Sequence, residues 1–216
     1  MCKLKSAIIL KDRIFIPDYD SHSDMLESLG IEDNYLGASK KFVRAELLPV
    51  DGDVFSDIDG WKFVVDQDIT PEWFSEDEYK PRMVEAVKEW AKTHIHIGVD
   101  GLKISAGENH YIKNCKDVVI ENSTVTAWDN STVTAWGNST VTAWGNSTVT
   151  AGDNSTVTAG DNSTVTNDNV WKWYKQNTLV LCDNATFKDN VGKTIYQSGA
   201  YKLIAVGSGE TIGELK

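Results

Sequence analysis

Four stretches of the sequence hold residue types that do chemistry. Ser21-His22-Ser23-Asp24 sets a hydroxyl, an imidazole and a carboxylate side by side. A nucleophile–base–acid triad needs partners that converge from separate segments. Ser21 and Asp24 instead fit a helix capping box, so the stretch reads as a helix start. Asp57-Ile58-Asp59-Gly60 has the look of a calcium loop. If Gly60 were the invariant loop glycine, Phe55 would fall at the first ligand position and could not coordinate. The EF-hand pattern therefore fails, and only a looser calcium site stays open. His94-Ile95-His96, with His110 beyond, sets two imidazoles on one strand face, a spacing that suits zinc when other ligands join. No Cys or acid lies at a matching spacing, so these are expected to be structural histidines. Cys2, Cys115 and Cys182 are odd in number and scattered, with neither a metal nor a disulfide pattern. The sequence assigns no catalytic residue, no metal ligand and no cofactor.

The elements around these residues form an α+β head over residues 1–100. Residues 6–10 and 14–16 read as a hairpin around Lys11-Asp12-Arg13, ended by Pro17. Met25 to Leu29 follow as a helix that Gly30 stops. Residues 42–50 alternate as a strand, Asp51-Gly52-Asp53 turns, and Trp61 to Val65 form another strand. Thr70-Pro71-Glu72 reads as a helix start. A second helix is expected over Pro81 to Lys92, where Met83, Val84, Val87, Trp90 and Ala91 make one apolar stripe.

Residues 101–216 are organised by an eight-residue repeat. The unit Asn-Ser-Thr-Val-Thr-Ala-Trp/Gly-Gly/Asp begins at Asn122, Asn130, Asn138, Asn146, Asn154 and Asn162, filling residues 122–169. Thr and Val favour strands, and Gly, Asp and Asn favour corners. Ser123, Val125 and Ala127 fall on one face, and Thr124, Thr126 and Trp128 on the other. An antiparallel meander would exchange those faces at each strand, which sheets avoid. Whole octads stacked in parallel give one inner column. The expected fold is therefore mixed: a small α+β domain, then a parallel β-solenoid with an irregular C-terminal cap. Two octads per coil is the first expectation and three the alternative. Asn should ladder along the corners. Trp128, Trp136 and Trp144 point outward. They either pack on another part of the chain, such as Trp171, Trp173 and Tyr174, or form a patch for binding or self-association. Residues 102–121 read as the first coil. After the octads, residues 178–181, 184–187, 194–196 and 201–206 read as strands that end the stack.

Charge separates the two parts. The chain carries a net −11. Residues 1–100 hold 21 acids and 12 bases, and residues 101–216 hold 11 acids and 9 bases. Within the head, residues 51–78 carry Asp51, Asp53, Asp57, Asp59, Asp66, Asp68, Glu72, Glu76, Asp77 and Glu78 against Lys62 alone. That sign disfavours direct binding of nucleic acid. The first residues mix charge into a short apolar run, unlike a signal peptide, and no run is long enough to cross a membrane. A reducing cytoplasm is expected. The six octad Asn residues and Asn184 match glycosylation sequons, but the reading takes them as corner residues.

Segments IFIPDYDSHSDMLESLGIEDN, VDQDITPEW and AVKEWAKTHIHIGVD, together with the octads, resemble uncharacterised bacteriophage and prophage proteins. Those proteins join an α+β N-terminal domain to NSTVxA(W/Y)(G/D) octapeptide repeats. The resemblance implies a mobile-element origin, the cytoplasm of a bacterial host and no transferable activity. Residues 111–122 also resemble a coil of right-handed parallel β-helices, which implies fold alone. The expected function is a non-enzymatic protein-binding accessory factor, an inhibitor of a host defence nuclease of the anti-CRISPR kind. It would act through the acidic residues, which can compete for a phosphate-binding site, or through the solenoid face. The alternative is a structural, self-assembling or adhesive solenoid that works through its Trp residues as a homo-oligomer. Ice binding by Thr-x-Thr rows ranks below it.

Overall fold

The computed structural model describes residues 5–105, 107–152 and 154–167, and beyond them the strands within residues 177–214. The chain divides into two compact units, Met1–Ile95 and His96–Lys216. The first is α+β and the second is a parallel β-solenoid.

The head is built on an antiparallel sheet of β1 (Lys5–Leu10), β2 (Ile14–Phe15), β3 (Phe42–Leu48) and β4 (Lys62–Val65), in the order β2-β1-β3-β4. β1 is central, and Lys5 to Ile9 are each fully buried. Successive strand residues face opposite sides, so β1 is covered on both. On one side lies α1 (His22–Ser28), where Met25 and Leu26 pack with Ile8 and Phe42. Ser21 caps it by accepting the Asp24 amide at 3.3 Å, and Gly30 follows at φ 65°. The serine cap and the glycine stop are both present, while the return bond from the Asp24 carboxylate that would complete a capping box is not formed.

A second helix, α2 (Tyr35–Lys40), was not foreseen. Asn34 Oδ1 caps it by accepting the Gly37 amide at 2.8 Å. A Cβ at Gly37 would stand 2.9 Å from Phe42 Cε1, so only glycine lets this turn lie against β3.

α3 (Glu76–His94) corrects the expected pair of helices. Thr70-Pro71 does not start one. Residues 71–74 make a turn, with the Phe74 amide on Pro71 O at 3.0 Å. Trp73 and Phe74 then pack on Tyr79, at 5.5 and 5.7 Å between ring centroids. Aromatic packing therefore outweighs the local helix signal. Pro81 lies inside α3 and removes one donor, close enough to the start that the unpaired carbonyl falls on exposed Asp77. The stripe of Met83, Val84, Val87, Trp90 and Ala91 is buried as expected, joined by Tyr79 and His94.

The solenoid takes its strands alternately into two sheets. One holds β5 (Ile95–Ile97), β7 (Gly107–Lys113), β9 (Ser123–Trp128), β11 (Thr140–Ala143) and β13 (Thr156–Ala159). The other holds β6 (Lys103–Ile104), β8 (Val118–Glu121), β10 (Thr132–Trp136), β12 (Thr148–Ala151) and β14 (Thr164–Asn167). Val125 pairs with Val141 and Val141 with Val157, while Val133 pairs with Val149 and Val149 with Val165. Two octads make one coil, which excludes three. Ser, Val and Ala point inward and are buried.

Both sheets then reverse. β15 (Asn177–Leu181) and β16 (Thr186–Lys188) continue in parallel on β13 and β14. β17 (Thr194–Gln197) runs antiparallel to β16, β18 (Lys202–Val206) antiparallel to β15, and β19 (Thr211–Glu214) antiparallel to β18. A change of strand direction ends a parallel stack. Among the described residues, no helix is long and apolar enough to cross a membrane.

Lys5 gives a stability test. Its ammonium is buried, donates to Pro17 O and Asp20 Oδ1 at 2.8 Å each, and lies 4.7 Å from the Trp90 ring. Burial pushes its pKa below the ordinary 10.5, against the opposing pull of Asp20. A base with a lowered folded pKa loses its proton first in the folded chain. Stability then rises with pH up to the ordinary value. Lys5→Met should cost about 2–3 kcal/mol near neutral pH through the lost hydrogen bonds. Urea denaturation should show that deficit widening toward about pH 10. A deficit that narrows would contradict this account.

Candidate functional site

The ten acids of residues 51–78 are all exposed, so the fold spends none of them on its interior. Local turns account for part of their order. Asp53 accepts the Phe55 amide at 3.0 Å, and Asp57 accepts the Asp59 amide at 3.2 Å. Three of the ten face a basic side chain: Asp59 meets Lys88 at 2.7 Å, Glu78 meets Arg82 at 3.5 Å, and Asp66 lies 3.3 Å from His22 Nδ1, an ion pair only when that ring is protonated. The Asp59 contact raises the Lys88 pKa above its ordinary value. Asp51, Asp68, Glu72, Glu76 and Asp77 form no ion pair among the described residues. Asp33, Tyr35 and Asp68 line one cleft, where Arg44 is paired with Asp33.

The looser calcium site is not built. Asp57 holds a backbone amide, Asp59 holds Lys88, and the two gather no third ligand among the described residues. His94 is buried, with Nδ1 2.8 Å from Trp90 O and Nε2 3.0 Å from Asp18. His96 and His110 stack at 6.4 Å. The Cys115 thiol is enclosed, 3.4 Å from both His96 O and the Val99 amide.

The triad reading of Ser21, His22 and Asp24 is absent, since Ser21 serves as the helix cap. His22 is buried and turns toward the sheet. Its Nε2 lies 3.2 Å from Ala45 O and its Nδ1 faces Asp66. Glu46 joins them, and one ligand atom from each of the three lies within 4.8 Å of the others. Sequence reasoning missed this grouping because its members are 24 and 20 residues apart and no local motif joins them.

The three repeat tryptophans do not form one row. With two octads per coil, Trp128 and Trp144 belong to one sheet and Trp136 to the other. Among the described residues, the repeat itself supplies their cover. Trp136 lies over Gly152 and Trp144 over Gly160, so closely that a Cβ on either glycine would collide with the ring. Both glycines are buried in consequence. Trp128 stacks on Trp144 at 6.3 Å and remains 37% exposed. Trp171, Trp173 and Tyr174 lie outside the described residues.

The corners depend on the eighth position and the serine. Asp129, Gly137, Gly145 and Asp161 all take positive φ, between 51° and 70°. Asn130 Nδ2 donates to Asn114 Oδ1 at 3.2 Å, one step of the expected ladder. Each octad serine is buried, and Ser131, Ser139, Ser147 and Ser155 donate to the carbonyl three residues back at 2.6–2.8 Å. The outer threonines stand in register over three coils on each sheet, a span of about 10 Å. That is a small plane for an ice lattice.

The Trp-on-Gly contact is open to a double-mutant cycle. Gly152→Ala should cost about 1–3 kcal/mol by forcing the ring aside. Once Trp136→Ala has removed the ring, the same change should cost much less. Additive losses in thermal melts would rule the contact out.

Comparison with protein-family models, curated proteins and solved structures gives no match to this chain, so its functional reading rests on its own geometry.

Proposed function

We propose that this chain is a non-enzymatic, protein-binding accessory factor of mobile-element origin. Its acidic head occupies the phosphate-binding surface of a host protein, a defence nuclease of the anti-CRISPR-target kind, in the bacterial cytoplasm. The observation that carries this reading is the exposure of all ten carboxylates of residues 51–78, seven of them without an ion pair among the described residues. Unpaired surface carboxylates keep their field available to a partner. A nuclease groove evolved for phosphates supplies the matching cations. Tyr35, 74% exposed beside Asp33 and Asp68, adds an aromatic anchor of the kind found at the centre of protein interfaces.

The second reading is a self-associating solenoid. Its support is the stacked pair of Trp128 and Trp144, with Trp128 left exposed. The antiparallel strands that follow β15 and β16 weigh against growth along the axis.

The test uses the full chain against lysates and purified defence nucleases, with washes at low and high salt. The acidic reading expects capture that falls about tenfold or more as salt rises. It expects a similar loss when Asp51, Asp68, Glu72, Glu76 and Asp77 are changed to their amides. Binding indifferent to salt and to those changes would overturn it. A mass that rises with concentration and falls back in Trp128→Ala would favour the solenoid reading instead.

A further inference from the structure

The grouping of His22, Glu46 and Asp66 has a chemistry that the acidic-surface reading does not use. His22 opens α1, Glu46 lies on β3, and Asp66 follows β4, where its amide is held by Arg44 O at 2.9 Å. The His22 ring is positioned by a carbonyl. Ala45 O can only accept, so Nε2 carries the proton of that 3.2 Å contact. A neutral ring then turns the bare lone pair of Nδ1 toward the Asp66 oxygen 3.3 Å away. Two acceptors that face each other need a cation between them.

A proton on Nδ1 would satisfy Asp66 alone. Glu46 also lies within the same 4.8 Å, is at least half-buried, and has no ion pair among the described residues. Two carboxylates against one imidazolium still leave a negative charge in a partly desolvated place, which is costly. A second observation comes from β1. Ser6 pairs with Glu46 in the sheet register, so its side chain is on the same face as the carboxylate. Ser6 is fully buried, and its hydroxyl has no hydrogen-bond partner among the described residues.

We propose that His22 Nδ1, Glu46 and Asp66 bind one divalent metal ion of the zinc type, with the Ser6 hydroxyl beside it. The geometry suits zinc. Ligands about 2.0–2.1 Å from a tetrahedral ion lie about 3.3–3.4 Å apart, the separation already present between His22 and Asp66. Metal-bound histidines commonly donate their other ring N–H to a backbone carbonyl, as His22 does to Ala45. A nitrogen ligand favours zinc, manganese or cobalt over magnesium and calcium, which prefer oxygen alone. Three protein ligands leave a coordination position open. Asp66, 58% exposed at its side chain, places that position toward solvent, where water or a partner's oxygen can enter.

The experiment is a zinc titration of the chelator-treated full chain against a chromophoric competitor, repeated with cobalt and magnesium. One zinc per chain is expected, with magnesium at least tenfold weaker. Cobalt should show visible absorption without a thiolate charge-transfer band, which separates this site from any site at Cys115. Glu46→Gln and Asp66→Asn should each weaken zinc by about tenfold or more, while Asp68→Asn leaves it unchanged. Zinc should raise the melting temperature of the wild type but not of Asp66→Asn, a readout that stands even if His22→Ala fails to fold. Absence of stoichiometric zinc, a thiolate band, or wild-type affinity retained in Glu46→Gln and Asp66→Asn would overturn the proposal. So would a loss in Asp68→Asn as large as in Asp66→Asn, since that would mean only diffuse binding to surface acids.

Discussion

An eight-residue repeat advances a strand by an even number of pleats, so every copy presents the same residues to the same side. That parity permits a single inner column of Ser, Val and Ala, and the rest of the solenoid depends on it. Two octads close one coil, so each valine meets a valine 16 residues away in the same sheet. Inner side chains this small leave no room for a bulky core. The stack must gain its stability from many equal contacts, each valine adding about 1.5–3 kcal/mol on burial. The same narrowness makes the corners demanding, because a chain that turns this tightly leaves carbonyls facing inward. The hydroxyls of Ser131, Ser139, Ser147 and Ser155 satisfy them. Ser147 bonds the Trp144 carbonyl of its own corner at 2.8 Å and the Asp129 carbonyl of the coil before at 3.2 Å. Serine is therefore an inner residue with a donor's task, and alanine of similar size would not replace it.

The seventh position carries the variation that the inner column forbids. Tryptophan fills it in the first three octads and glycine in the next two. Read along the chain, this looks like a motif decaying. With a coil of two octads it becomes a fit, because each partner is found one coil on. Trp136 meets Gly152, Trp144 meets Gly160, and Trp128 meets Trp144. The glycines are the seats for the indole rings. A uniform tryptophan repeat would have had to stack ring on ring at every step.

Parity explains why the solenoid was legible in its sequence. The faces, the parallel stacking of whole octads and the later strands follow from alternation and period, which are local properties. The head was legible where its signals were local: the Ser21 cap, the Gly30 stop and the α3 stripe. It misled where tertiary contacts decide. Thr70-Pro71 has good helix-start chemistry, yet the aromatic packing of Trp73 and Phe74 on Tyr79 holds that stretch as a turn. α2 was hidden because it is six residues long and contains a glycine, which argues against a helix until Phe42 is seen pressing on it. Trp128, Trp136 and Trp144 were read as one row because their split between sheets follows from coil size, which the sequence left open between two values.

The same reasoning separates the two kinds of site in the head. An acidic surface is a sum over many residues, so composition alone indicates it, and no single carboxylate within it is essential. The His22 grouping is the opposite case. It depends on α1 crossing the sheet where β3 presents Glu46 and β4 ends at Asp66, and each of those placements rests on apolar contacts elsewhere: Met25 and Leu26 on Ile8 for the helix, and the β1–β3–β4 register for the carboxylates. Composition counts Asp66 as one acid among ten. Geometry makes it the only one of the ten that shares a histidine with a second carboxylate among the described residues. A chain that needed only negative charge would have no reason to fix a buried imidazole between two of its acids by a backbone hydrogen bond. The ordered placement of His22 therefore indicates a ligand more strongly than the charge around it does.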